Sequence, residues 1–166
     1  MVEVIFGFDL SVGENDIHWN MLMHALIKPE IPTAEEFLKI RMDAGWGSMP
    51  ITSAEIALRN SAVCVCARIE NRLVGLARAI GDHVVCFYVS DVFVSPQCRG
   101  QLLGQSLVGV LVEELHNLAE PDAMIAVIPL AGLERFYERS GFVAAPNETF
   151  GSGLVRVFKD TREGVT

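Results

Sequence analysis

Arg99, Gly100 and Gly104 combine a permanent cation with two positions that lack a Cβ, and they share one run, Pro96-Gln97-Cys98-Arg99-Gly100-Gln101-Leu102-Leu103-Gly104. Before it, Val84 to Val94 is rich in β-branched and aromatic residues, as a largely buried strand should be, and Pro96 stops it. After it, Leu107, Val110, Leu111, Leu115 and Leu118 recur at helical spacing, with Glu113 and Glu114 on the other side. The run is therefore a loop that empties into a helix N-terminus. The first turn of a helix has four N–H groups without intrahelical partners and carries partial positive charge. Glycine lets the backbone turn tightly and approach a ligand, and Arg99 adds its charge beside the same loop. The expected guest is a phosphate or pyrophosphate. For an isolated Arg-Gly pair, the ordinary use of glycine in a tight strand-to-helix connection is explanation enough.

Other chemistries are poorly signalled. The Lys-Ser/Thr that should end a P-loop is missing after Gly104, and no serine sits in G-x-S-x-G. A dinucleotide fold is disfavoured because the strand before the loop comes late, after a meander. Cys64, Cys66, Cys86 and Cys98 show no C-x-x-C spacing, so a metal site and a disulfide framework are both poor readings. They read as reduced and mostly buried, with Cys98 in the loop the most exposed. His18, His24, His83 and His116 have no supporting constellation.

The 166 residues suit one domain spanning 1–166, with 51% hydrophobic residues to build a core and residues 1–15 as an N-terminal extension of unclear role. A net charge of −8, from 21 acidic and 13 basic residues, argues against nucleic-acid binding and weakly favours cationic partners. No stretch approaches the ~20 apolar residues of a membrane span, and Met1 to Phe6 lacks the pattern of a secretory signal. A cytoplasmic protein without membrane contact is expected.

The elements around the loop follow from local signals. Trp19 to Ile27 satisfies neither period cleanly and leans towards a first strand. Thr33 and Glu36 have capping-box spacing before Phe37, Ile40, Arg41 and Ala44, a helix that Gly45 stops. Thr52 with Glu55 forms a second cap, for a helix to Asn60. Ala62 to Ile69 and Leu73 to Ile80 make a hairpin across Glu70-Asn71-Arg72. Beyond the main helix, Ala123 to Ile128 reads as a strand, Ala131 to Ser140 as a helix ending at Gly141, and Phe142 to Ala145 with Gly153 to Lys159 as a final hairpin.

Taken whole, Val-x-Val-x-Pro-x-x-Arg-Gly-x-x-x-Gly before an apolar helix resembles motif A of the GNAT acyltransferase superfamily. Phe136-Tyr137-Glu138-Arg139-Ser140-Gly141-Phe142 resembles its motif B. The resemblance covers roughly Glu36 to Lys159. It implies an α/β (α+β) fold with a mixed, mostly antiparallel sheet of about six to seven strands flanked by helices, and acetyl-CoA as the acyl donor without any metal. Val92, Phe93 and Val94 would pair with its pantetheine arm. Arg99, Gly100, Gln101, Leu102, Leu103, Gly104 and Gln105 would hold its pyrophosphate. Leu102 stands where the first motif glycine is expected, so it must either take a backbone conformation suited to an L-residue or tilt the loop. Leu130 replaces an asparagine common seven residues before the motif B tyrosine.

The implied reaction moves an acetyl group to an amine of a small molecule or protein by direct attack. That requires a neutral amine, a carbonyl held close, and a proton for the departing thiolate. Tyr137 matches the tyrosine that supplies this proton in many relatives, and a phenol of pKa about 10 is a plausible donor; the alternative is a packing tyrosine. Asp91 could accept the amine proton or be a polar strand residue. Trp46, between Gly45 and Gly47, could line the acceptor pocket or plug two helices. A non-catalytic acyl-CoA-binding or sensing module with the same fold is the alternative reading. A homodimer is compatible with the sequence, which defines no interface.

Overall fold

The computed structural model describes residues 2–8, 21–100 and 102–157. Strands β1 (Val2–Phe8), β2 (Met21–Pro29), β3 (Val63–Ile69), β4 (Arg72–Gly81), β5 (Cys86–Val94) and β6 (Met124–Ala126) form one mixed sheet whose spatial order is the chain order. All neighbours are antiparallel except β5 and β6. Helices α1 (Ala34–Asp43) and α2 (Ile51–Arg59) lie between β2 and β3, α3 (Leu103–Leu118) between β5 and β6, and the single-turn α4 (Glu134–Glu138) follows. Strands β2 to β6 with these helices make the α/β core, and β1 is an added edge strand.

The start of α1 has both halves of the capping box: Thr33 Oγ1 accepts from Glu36 N at 3.2 Å, and Glu36 Oε2 accepts from Thr33 N at 3.0 Å. Arg68 on β3 then anchors this end to the sheet, with 2.6 Å ion pairs to both Glu36 Oε1 and Glu30 Oε1. Hydrogen bonds from Arg68 hold both carboxyls below their ordinary value. The β3–β4 hairpin turns through Glu70 and Asn71, both with positive φ, as a two-residue turn between twisted strands requires.

The sheet is covered on both sides. Leu103, Leu107, Leu111 and Leu115 of α3 pack on Ala25, Ile27, Val65, Ala67, Ala77 and Phe87. The other face packs Phe37 and Ile40 of α1 and Ala54 and Leu58 of α2 on Cys64, Cys66, Leu76 and Phe93. Gly75 is where α3 comes closest: a Cβ there would lie 2.7 Å from Leu107 Cδ1.

Several expectations are corrected. Part of the expected N-terminal extension, Val2–Phe8, is strand β1. Helix α2 starts at Ile51 behind Pro50 with no side-chain cap, because the chain turns helical before Thr52 can act as one. Strand β6 is three residues long and α4 five, both shorter than the apolar pattern suggested. The final hairpin is not formed: residues 142–157 carry no strand, and Val143, Leu154, Val155 and Val157 are exposed. The strand count of six to seven is thus not confirmed, since two expected strands are missing and β1 was not among those expected. Cys98 is buried, because the 3-10 turn Pro96–Cys98 tucks it under the sheet, and Cys86 is the exposed cysteine. Trp19, Gln101, Lys159 and the turn expected at Ser11 to Asn15 lie outside the described residues.

Candidate active site

The strand that leads to the loop changes phase part-way. Arg78 pairs with Asp91 and Ala79 with Val89, so Ser90 is an extra residue, a β-bulge. Phe87 and Val89 before the bulge pack on the α3 side, and Val92 and Val94 after it do the same. Asp91 and Phe93 therefore turn to the α1–α2 side, where Phe93 joins the core beside Phe37.

On its other edge β5 pairs with β6 only from Cys86↔Met124 to Tyr88↔Ala126. The two strands pair no further, and a cleft of about 600 Å³ lies along the later part of β5. One wall is Val92, Phe93 and Val94. The loop residues Arg99, Gly100, Leu102, Leu103, Gly104 and Gln105 line it as well, Trp46 stands beside Phe93, and Leu130, Leu133, Phe136 and Tyr137 complete the lining. Nine of the ten residues expected along the strand and loop are brought together here; Gln101 lies outside the described residues.

Leu102 does not take an ordinary L-residue conformation. It takes φ +62° and ψ −3°, the left-handed conformation a glycine would have used, with its side chain 71% exposed. An L-residue there carries a local Cβ–carbonyl strain of about 1–2 kcal/mol that glycine would not. Leu102 is also the N-cap of α3, and no side chain caps that helix. The first-turn N–H groups are thus left to whatever fills the cleft. Arg99 is steadied by donating from Nε to Val94 O at 3.1 Å. Gly104 packs closely on Phe136: a Cβ would sit 3.3 Å from its ring, so the ring would have to give by a few tenths of an ångström. A hydrogen bond from Gln105 Nε2 to Ser140 Oγ ties α3 to the turn after α4.

Tyr137 is half-buried in an aromatic group, edge-on to Phe136 at 4.9 Å and to Phe142 at 5.7 Å between centroids. Burial, with a smaller contribution from Tyr88, pushes its phenol up and keeps it protonated. Cys98 also lines the cleft, and burial raises its thiol pKa, which makes it a poor nucleophile.

Asp91 does not line the cleft. It is 8% exposed, with Oδ2 held 2.6 Å from Arg78 Nε and 3.2 Å from Ser90 Oγ, and Oδ1 3.7 Å from Arg41 Nη1. Arg78 also donates to Ala57 O and Ser61 Oγ, which fastens α2 to the sheet. Ala44, Leu133, Phe136 and Arg139 line the cleft without having been singled out as site residues. Leu130, Leu133 and Tyr137 at three- and four-residue spacing were the available signal. Among the described residues no group of His, Cys, Asp and Glu is placed to hold a metal ion, and no helix is long and apolar enough to cross a membrane.

Residues 47–157 match the acetyltransferase (GNAT) domain. The chain belongs to the GNAT acetyltransferase family. It is 30% identical over 120 residues to a probable acetyltransferase, TAP2, of Glycine max, a match covering 66% of this chain and 48% of that relative. The fold is shared with a probable acetyltransferase of meticillin-resistant Staphylococcus aureus, at TM-score 0.69 and 23% identity over 80% of this chain and 99% of that one. It is also shared with YhbS of Escherichia coli, solved in complex with CoA, at TM-score 0.59 and 20% identity over 76% of this chain and 73% of that one.

Proposed function

We propose that the chain is an N-acetyltransferase that moves an acetyl group from acetyl-CoA to an amine by direct attack. The observation that carries this reading is the parting of β5 from β6 beyond Tyr88, with an uncapped helix N-terminus at one end of the resulting cleft and a protonated phenol on its wall. The residues present fit the cofactor. Gly100, at φ +76°, with Leu102 in a glycine conformation gives a tight loop whose backbone is accessible, and the Arg99 Nη groups, with no protein partner among the described residues, supply charge for a pyrophosphate. The open edge of β5 from Val92 to Val94 offers backbone groups to an amide-bearing arm. When bound, acetyl-CoA supplies the thioester.

The chain's own residues then have separable tasks. Loop and strand fix the donor. Tyr137 holds a proton on Oη for the departing thiolate, and its raised pKa keeps that proton in place through neutral pH. The amine must arrive neutral, and its surplus proton passes to water in the open cleft. Asp91, considered above as the base, enters this reading as the anchor of Arg78 and Arg41.

Titration with acetyl-CoA in a thermal-shift assay, with ATP as control, tests the cleft. Saturation at ~100 times Kd should add about 2.7 kcal/mol and raise Tm by several degrees. No shift at millimolar acetyl-CoA would remove the reading. Tyr137→Phe should lower kcat by about 10²-fold or more with CoA affinity kept. Unchanged turnover would remove Tyr137 as the acid. CoA binding by a wild-type chain that acetylates no amine would favour the non-catalytic acyl-CoA sensor.

A further inference from the structure

A chain of charge −8 invites a polycationic acceptor, but the cleft is built for something else. Away from the loop its wall includes Ala44 and Trp46, with the largely buried Phe93 beside Trp46. Trp46 stands between two glycines at φ +89° and +68°, so the backbone presents it on a tight projecting turn, half-exposed, with its ring 6.4 Å from that of Phe93. The guanidinium of Arg41 lies 5.8 Å from the centre of the Trp46 ring, so one face of that aromatic surface already carries a cation, which repels a second. Among the described residues lining the cleft, the charged ones are Arg99 and Arg139. The carboxylate two residues before Phe93, Asp91, is buried and paired with Arg78 and Arg41.

The reacting nitrogen enters neutral and needs no counter-ion, whereas each further ammonium group of a polyamine or lysine-rich segment would lose water without gaining a partner. An aromatic or alkyl body gains from the same wall by burying its surface. We infer that the acceptor is a monoamine on an aromatic or alkyl body packed against Trp46 and Ala44, with Trp46 the specificity-determining residue. This inference rests on the acetyltransferase reading above.

The test compares kcat/KM for phenethylamine, spermidine and a lysine-rich peptide, with acetyl-CoA as donor and thiol release and product mass as readouts. Phenethylamine should be preferred by about tenfold or more. Trp46→Ala should raise the KM for phenethylamine about tenfold with the KM for acetyl-CoA unmoved, and Trp46→Phe should restore most of it. Ala44→Glu, which adds a carboxylate to the wall, should move the preference towards spermidine. Three results would overturn the inference: spermidine or the peptide preferred by the wild-type chain, an amine KM indifferent to Trp46→Ala, or turnover of none of the three by a chain that acetyl-CoA stabilises. The first two leave acetyl transfer standing. A chain that acetyl-CoA does not stabilise loses the reading beneath.

Discussion

On the α3 side of the sheet, Leu103, Leu107, Leu111 and Leu115 meet a surface made of small and branched apolar side chains. On the α1–α2 side, Phe37, Ile40, Ala54 and Leu58 meet a similar surface, but one interrupted by the buried Arg78–Asp91 pair, with Arg41 and Ser61 around it. The α3 face needs only shape and area, which tolerate small errors at a cost proportional to the void. The α1–α2 face adds a directional lock: Arg78 reaches from β4 to the last turn of α2 and across to β5, so the helices bearing the Trp46 turn are fixed in register with the strand along the cleft. One face stabilises and the other also orients.

The largest expected effect should separate these roles. Asp91→Ala leaves Arg78 and Arg41 without their shared anion and should cost about 3–5 kcal/mol, read by urea unfolding. Replacing both partners, Arg78→Met with Asp91→Leu, should recover most of that stability while amine KM stays impaired, because packing replaces the pair but does not orient the turn. Full recovery of both would show that the two faces do not differ. If Asp91→Asn lowered kcat without moving stability, the carboxylate would instead have a chemical task.

On the apolar face, Leu107→Ala should cost about 3 kcal/mol and leave the KM values of the folded protein alone. A changed amine KM would couple the faces after all. The smallest effect lies at the edge of the α1–α2 layer, where Arg68 holds Glu30 and Glu36. Both carboxyls are held below their ordinary 4.5 by Arg68, so the stability they confer is complete above that value and fades as pH falls through their folded-state values. Arg68→Met should cost about 1–2 kcal/mol at pH 7, discounted for partial exposure, and the difference in Tm should shrink in acid. A pH-independent difference would assign the loss to packing.

The loop, its strand and its helix were legible because each carries a local signal: β-branched runs, a stopping proline, glycines and helical spacing over α3. The capping box at Thr33 was legible for the same reason. The phase change at Ser90 was not, since a bulge is set by strand register and leaves no mark in composition, and with it went the surroundings of Asp91. The left-handed Leu102 was missed because propensity speaks against a branched L-residue at positive φ. The final hairpin was over-read from alternating apolar residues that, among the described residues, stay exposed and pair with no strand.

Because the spatial order of the strands is their order in the chain, β3, β4 and β5 can each be laid against an edge already present as the polypeptide leaves the ribosome. β3 waits for α1 and α2, and the parallel β5–β6 ladder waits for the whole of α3 to cross over. The strand whose parting opens the cleft is thus the last to join the sheet, and the wall that carries Tyr137 is built only after everything it faces.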